Sequence, residues 1–260
     1  MEAMQPEDLL LFAADAARLM LESGGETYRA EDAAMGIIAS QGGAEAECFA
    51  TSTGLMLSYT GEDGKVRSVV RRVKKRGMNL EKVSRIHALV EALQADRIGL
   101  AAAMNELDGI ERMRERPALV LTLASAFGAA FFALLFGGSL ADAIAAIFLG
   151  ALLSFLIRGF QRLKFPEFLT SLAGGAITAL ASLALRSLGA PINPDTLIIG
   201  VIMLLVPGVA ITNAIRDIIA GDLVAGIARG ADALITAASI SAGAGAAFAI
   251  WKLLGAGGLR

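Results

Sequence analysis

Histidine, cysteine and tryptophan each occur once in the 260-residue chain, at His87, Cys48 and Trp251. A lone cysteine permits no internal disulfide and suits a reducing compartment. No activating histidine or basic cluster lies beside it, so Cys48 reads as a small buried residue on a strand rather than a nucleophile. His87 stands among Arg85, Ile86 and Leu89 with no partner for catalysis or metal binding, and no metal site is indicated. The glycine pairs Gly24-Gly25 and Gly42-Gly43 fit neither the phosphate-loop pattern nor the dinucleotide fingerprint, so no cofactor is expected. The run Arg71-Arg72-Val73-Lys74-Lys75-Arg76 lacks interleaved stacking aromatics, which argues against nucleic acid; it suits a solvated strand end or an anionic headgroup surface. The opening residues Met1-Glu2-Ala3-Met4-Gln5 lack the basic segment and apolar core of a secretory signal, and the N-terminal part is expected in the cytoplasm.

Charge is scarce beyond residue 116. Residues 1–116 hold 15 of the 23 Lys and Arg and 19 of the 25 acids, which leaves 14 of 48 charges for the other 144 residues. The net charge of -2 says little about partners. What fills the second half is apolar: 55% of the chain is hydrophobic and its mean hydropathy is +0.63, high for a soluble protein. The expected fold class is therefore an α+β cytoplasmic domain, residues 1–112, followed by an all-α polytopic transmembrane bundle, residues 113–260.

Five apolar stretches approach the roughly 20 residues a helix needs to cross about 30 Å of hydrocarbon. They fall near 117–136, 140–157, 168–185, 196–213 and 231–251. With the N-terminal domain inside, the inner flanks carry Arg112, Arg114, Arg116, Arg158, Arg162, Lys164, Arg216 and Arg229. The outer flanks carry only Arg186, Lys252 and Arg260. That bias predicts the N-terminus inside, the C-terminus outside and an odd number of spans. Gly174-Gly175, Gly226 with Gly230, and Gly243 with Gly245 supply the small surfaces through which helices associate in lipid.

The first part predicts helices over Leu9–Leu21 and Thr27–Gln41, strands over Glu47–Thr53, Leu55–Thr60 and Val66–Val73, and helices over Asn79–Ala95 and Arg97–Glu111. Gly61-Glu62-Asp63-Gly64 is a good hairpin turn between the last two strands.

The segment 206–232 concentrates the chemistry. Pro207 lacks an amide hydrogen and frees a backbone carbonyl, and Gly208 permits unwinding or close approach beside it. In lipid such a break survives only inside protein or beside an aqueous cavity. Asn213 offers donors and acceptors, Arg216 can grip a carboxylate with two parallel bonds, and Asp217, Asp222 and Asp232 can take an ammonium group or a proton. One Arg beside one Asp suits an amino acid; Arg216 with Arg229 could serve a dicarboxylate. The alternative is a surface helix in which Arg216, Asp217, Asp222, Arg229 and Asp232 pair among themselves.

Two motifs carry a family resemblance. One is Leu21-Glu22-Ser23-Gly24-Gly25-Glu26-Thr27-Tyr28-Arg29-Ala30-Glu31-Asp32; the other is Val206-Pro207-Gly208 through Asn213, Arg216, Asp217, Gly221-Asp222 and Gly226 to Ala231. With these the chain resembles the threonine/serine exporter family, also represented by split two-subunit systems associated with succinate export. The resemblance implies a secondary exporter subunit of the inner membrane and an oligomer in a lipid bilayer. The carried-over site residues are Pro207, Gly208, Asn213, Arg216, Asp217, Asp222, Arg229 and Asp232, with Glu22, Gly24, Glu26, Tyr28, Arg29, Glu31 and Asp32 as the domain motif. Single-chain members continue into a second membrane module after the position of Arg260, so a separately encoded small membrane subunit is expected here. No enzymatic activity is expected, and proton entry is the expected driving force. The competing classes are a membrane-anchored sensory or hydrolase-like protein, and a scaffold that only assembles the partner subunit.

Overall fold

The computed structural model describes residues 6–61, 63–74, 77–114 and 116–254. Glu62 of the hairpin turn, Lys75 and Arg76 of the basic run, and Arg260 lie outside the described residues. The chain forms two compact units, Met1–Arg114 with Val209–Gly230, and Glu115–Gly208 with Ala231–Arg260. The first unit is thus assembled from two separated stretches of sequence.

In the first unit, helix α1 (Pro6–Glu22) opens on a proline with Glu7 and Asp8 in its first turn, which suits the missing bond and the dipole at a helix N-terminus. Leu9, Leu10, Phe12, Leu19 and Met20 combine with Ala13, Ala14, Ala16 and Ala17 to make it buried on nearly every side. A helix apolar all round belongs in a core, and α1 packs on α2 (Thr27–Ser40), β2 (Gly54–Thr60), β3 (Val66–Arg72), α3 (Leu80–Gln94) and α4 (Leu100–Glu111). With β1 (Ala44–Thr51) the strands make an antiparallel meander in the order β1-β2-β3. Leu55, Leu57 and Tyr59 of β2 face the helices, and the Tyr59 hydroxyl donates to the Pro6 carbonyl at 2.8 Å.

The turn after α1 is fixed by glycine. Gly24 sits at φ +87°, its N–H bonds the Leu21 carbonyl at 3.1 Å and the Gly25 N–H bonds Met20 at 2.9 Å, the paired closure of a left-handed helix end. Gly77 and Asn79 then donate backbone bonds to Glu22 and Ser23, each at 2.9 Å, which pins the turn from outside.

The second unit contains α5 (Ala118–Leu135), α6 (Leu140–Arg162), α7 (Glu167–Ser187), α8 (Pro194–Ile202) and the later part of α10 (Leu223–Leu253). Among the described residues, α5, α6, α7 and α10 are long and apolar enough to cross a membrane. Their large side chains point outward: Leu119, Phe131, Leu135, Phe148 and Phe155 are all exposed. Small residues face inward. A Cβ on Gly150 would stand 2.7 Å from the Ser125 carbonyl, and one on Gly175 or Gly243 would strike the backbone at Ile240 or Leu172. Gly245 and Gly159 face open space instead.

The apolar stretch 196–213 is not one helix. Helix α8 ends at Ile202, residues 203–207 form a turn and a break, and α9 (Gly208–Ala220) follows. Pro207 cannot donate the next helical bond and biases Val206 away from helical geometry. A Cβ on Gly208 meets nothing within 4 Å, so the expected close backbone approach there is not found. The left-handed glycine of this region is Gly221, at φ +101°, which closes α9 through a 2.8 Å bond from the Asp222 N–H to the Asp217 carbonyl. The last apolar stretch, read from 231, begins at Leu223 because the helix resumes directly after that turn.

These contacts separate the glycines by role. Gly175→Ala and Gly243→Ala are expected to lower the stability of the purified protein by about 1–3 kcal/mol each through overpacking. Gly245→Ala and Gly159→Ala, which meet open space within helices, should leave it unchanged or raise it by up to about 1 kcal/mol. Equal melting shifts for all four in detergent would contradict this packing.

Candidate functional site

Within the first unit, the turn Gly24-Gly25-Glu26-Thr27 meets the polar face of α9 and the first turns of α10. Helix α2 begins at Thr27, and its capping position is Glu26, whose side chain makes no capping bond. The cap comes from elsewhere in the chain. Asp217 of α9 accepts from the Thr27 N–H at 3.1 Å and from the Thr27 hydroxyl at 3.2 Å. Both residues are fully buried, at 0% exposure. A carboxylate at a helix N-terminus satisfies an open amide and gains from the helix dipole. Arg229 of α10 lies 3.3 Å from Asp217, and also donates to the Gly25 carbonyl at 2.7 Å and the Thr27 hydroxyl at 3.3 Å.

Two further bonds extend this contact. Asn213, one turn before Asp217, donates to the Gly24 carbonyl at 2.9 Å. Arg216 donates to the buried Glu26 carboxylate at 2.6 Å, and Arg29 stands 3.5 Å from the same group. Burial works against ionisation of Glu26, but its own backbone N–H and the Arg216 guanidinium outweigh it and hold the carboxyl below its ordinary value. Glu26, Arg216, Asp217 and Arg229 therefore form two opposed-charge pairs side by side.

Acids gather around these pairs. Burial and the carboxylates of Asp222, Asp32 and Asp217 raise the Glu31 pKa, although its carboxylate accepts from the Ala50 N–H at 2.6 Å. Burial, then Asp217 and Asp32, raise that of Asp222, whose Oδ2 is buried without a hydrogen-bond donor. Cys48, half-buried on the inner side of β1, has its thiol pushed up to about 12 by burial and by Glu31, so it carries no reactive thiolate.

The predicted residues thus divide. Gly24, Glu26, Asn213, Arg216, Asp217 and Arg229 converge, and Glu31, Asp32 and Asp222 surround them electrostatically. Glu22 pairs with Arg18 at 2.9 Å, and Tyr28 accepts from Arg29 at 3.3 Å, both as neighbours on their own helices. Pro207, Gly208 and Asp232 belong to the second unit, and Asp232 is exposed on α10. Thr27, the common partner of Asp217 and Arg229, was the residue the sequence did not single out. Its position directly after a left-handed glycine turn was the available signal. A second buried carboxylate, Asp142, lies in the second unit. It is 2% exposed, completes a capping box with Ser139 and accepts from the Asn193 N–H at 2.6 Å, and the spacing Ser139-x-x-Asp142 announces such a box. Among the described residues no group of three or more His, Cys, Asp or Glu is arranged to hold a metal ion. A cavity of about 170 Å³ beside α1 and α4 is lined by Asp15, Arg18 and Glu111 among others, and no residue of the Gly24 turn contributes to it.

Comparison with known proteins supplies an independent constraint. A family model described as "Putative threonine/serine exporter" matches residues 11–251. A "Probable threonine/serine exporter" of Mycobacterium tuberculosis is 24% identical over 177 residues, 68% of this chain and 33% of that protein, so the chain spans about a third of that relative. A "Probable succinate transporter subunit YjjP" of Escherichia coli is 24% identical over 238 residues, 91% of this chain and 92% of that protein. Its namesake in Klebsiella aerogenes is 23% identical over 237 residues. No solved structure matches the chain.

Two stability measurements test the site. Asp217→Ala leaves Arg229 buried beside an uncapped helix and is expected to cost about 3–5 kcal/mol. Arg216→Gln should cost no more than about 1 kcal/mol, because the arginine side chain is 53% exposed. Melting curves that rank the two variants the other way would refute the assignment. Glu31→Gln keeps an acceptor for Ala50 and removes a disfavoured charge. Because the folded pKa of Glu31 is raised, ionising it costs stability as pH rises from its ordinary 4.5 through the folded value. The variant should therefore melt above the wild type at pH 7, and the difference should vanish once the pH falls below about 4. A difference independent of pH would show that the gain has another source.

Proposed function

Because the chain belongs to the threonine/serine exporter family, we propose that it is the larger membrane subunit of a secondary exporter of small hydrophilic metabolites bearing a carboxylate. Threonine/serine-type amino acids are the first reading. Succinate and other C4-dicarboxylates are the second, favoured by the near full-length match to the Escherichia coli subunit. That relative's name also supports a separately encoded small membrane subunit as partner, with the pair acting as an oligomer in the bilayer.

The observation that carries the site assignment is the convergence of the two sequence motifs on the oppositely charged pairs Glu26–Arg216, of which the carboxylate is buried, and Asp217–Arg229, which is buried. A solute with a carboxylate competes with Glu26 for the half-exposed Arg216, and an ammonium group competes with Arg229 for Asp217. Binding therefore loosens the hold of the Gly24 turn on α9, and this exchange is the coupling step. Pro207, Gly208 and Asp232 contribute outside that cluster, at the break in the apolar stretch and on the later part of α10.

A fifth crossing falls to the apolar stretch 196–213, divided between α8 and the first part of α9. The faces of α9 support this. Asn213, Ala214 and Asp217 are buried, whereas Ile211, Ile215, Ile218 and Ile219 are exposed, so the helix offers lipid an apolar face. With five crossings, the basic residues at 112–116, 158–164, 216 and 229 support an N-terminus in the cytoplasm and a C-terminus outside the inner membrane. No phosphate-binding loop is present in the sequence, and proton entry is the driving force most consistent with that. The protein acts as a transporter in this reading, not as an enzyme.

Efflux from cells loaded with threonine-containing dipeptide, or with succinate, tests the reading. Wild type with the small subunit should export one of the two solutes, and a protonophore should stop it. Arg216→Gln at equal membrane abundance should reduce export about tenfold or more. Export of neither solute, or export indifferent to both the protonophore and the substitution, would remove the proposal.

A further inference from the structure

We propose that the outer face of the three-stranded sheet is a homotypic docking face, on which a second copy of this chain seats the same face about a two-fold axis. The strand register defines that face. Phe49 pairs with Met56 and Met56 with Val70, so the three side chains form one row across β1, β2 and β3. All three are exposed, at 57%, 58% and 62%, and Val66, at the far end of the same face of β3, reaches 69%. The opposite face of the same strands is closed over α1 and α2 through Leu55, Leu57 and Tyr59. An apolar row of this kind on the solvent side of a sheet needs an explanation, since polar residues ordinarily fill it.

Charge at the corners selects the occupant. Glu47 on β1 stands one row to one side of the Phe49–Met56–Val70 row, in the row Glu47–Ser58–Ser68, and Arg72 on β3 stands one row to the other side, paired with Gly54. Both are exposed. A two-fold axis lying between two such faces, across the Glu47–Arg72 diagonal, sets Met56 against Met56 and brings each Glu47 over the Arg72 of the other copy. This is the self-complementarity that a two-fold contact requires. Edge-to-edge extension through β3 is less favourable, because it would set Arg67, Arg71 and Arg72 beside their own mates. An anionic headgroup surface is disfavoured by the acidic corner.

The size of the face fixes the setting in which it works. Three strands about 4.8 Å apart and seven residues of about 3.3 Å each cover roughly 300 Å² per copy. Stable soluble complexes bury about 800 Å² per partner. The contact therefore needs copies already confined to one membrane, where effective concentration is raised. It does not depend on the solute or on the Gly24 cluster, so it stands or falls separately from the exporter reading.

The test uses the full chain in native membranes on a Cys48→Ser background, with a short bismaleimide. Met56→Cys, and Val70→Cys as a second probe on the same face, should give a covalent dimer of this chain. Leu80→Cys, equally exposed at 58% on α3, should give at least fivefold less. Arg72→Glu should reduce the Met56→Cys dimer at least fivefold, and adding Glu47→Arg in the same chain should restore it. Absence of the dimer from both probes at normal membrane abundance would overturn the proposal. So would a product containing a different protein, cross-linking equal to that of Leu80→Cys, or failure of the double exchange to rescue.

Discussion

The amide at the start of α2 is the group on which the first unit depends. It is buried, its own capping residue has turned away to meet Arg216, and the carboxylate that satisfies it arrives from Asp217, 190 residues later in the chain. An unpaired buried amide costs about 1–3 kcal/mol, and a buried carboxylate without its arginine costs more. These penalties are avoided only when Thr27, Asp217 and Arg229 are assembled together. The N-terminal helices and sheet therefore have a complete polar interior only after the apolar helices between residues 118 and 202 have been made and α9 has returned to the turn.

Glycine geometry makes that return possible at both sides of the contact. Gly24 ends α1 and Gly221 ends α9 with the same left-handed closure, so each helix stops within a turn of the polar residues it presents. Gly226 completes the arrangement, since a Cβ there would lie 2.9 Å from the Ala214 carbonyl. Close approach of α10 to α9 sets Arg229 beside Asp217.

Much of this was legible in the sequence where periodicity and composition determine the outcome. The helices around Leu9–Leu21 and Thr27–Gln41, the three strands, and the apolar helices over 118–135, 140–162 and 167–187 follow from side-chain pattern alone. Hydropathy reports how apolar a stretch is and not whether its backbone is continuous, so 196–213 read as one span although Pro207 was already known to interrupt it. The two motifs were legible separately, and their convergence was not. No local rule ties Thr27 to Asp217, and the charges of 216–229 could equally have paired among themselves on a surface helix. Burial of Asp217 against Thr27 is a tertiary fact that the spacing of residues does not encode.

The ordering of ionisation around this contact follows from the same geometry. Glu26 is held ionised by its own backbone N–H and Arg216, whereas Glu31 and Asp222 are driven towards their neutral forms by burial and by neighbouring carboxylates. As pH falls, Glu31 takes up its proton before Glu26 does, and the Glu26–Arg216 pair persists to lower pH. Carboxylates that share neighbours in this way titrate as a group rather than singly. Mild acidification thus removes negative charge from the surroundings of Asp217 while the bonds that hold the turn are intact. Protonation of Glu31 and Asp222 relieves the repulsion between each of them and the Asp217 carboxylate.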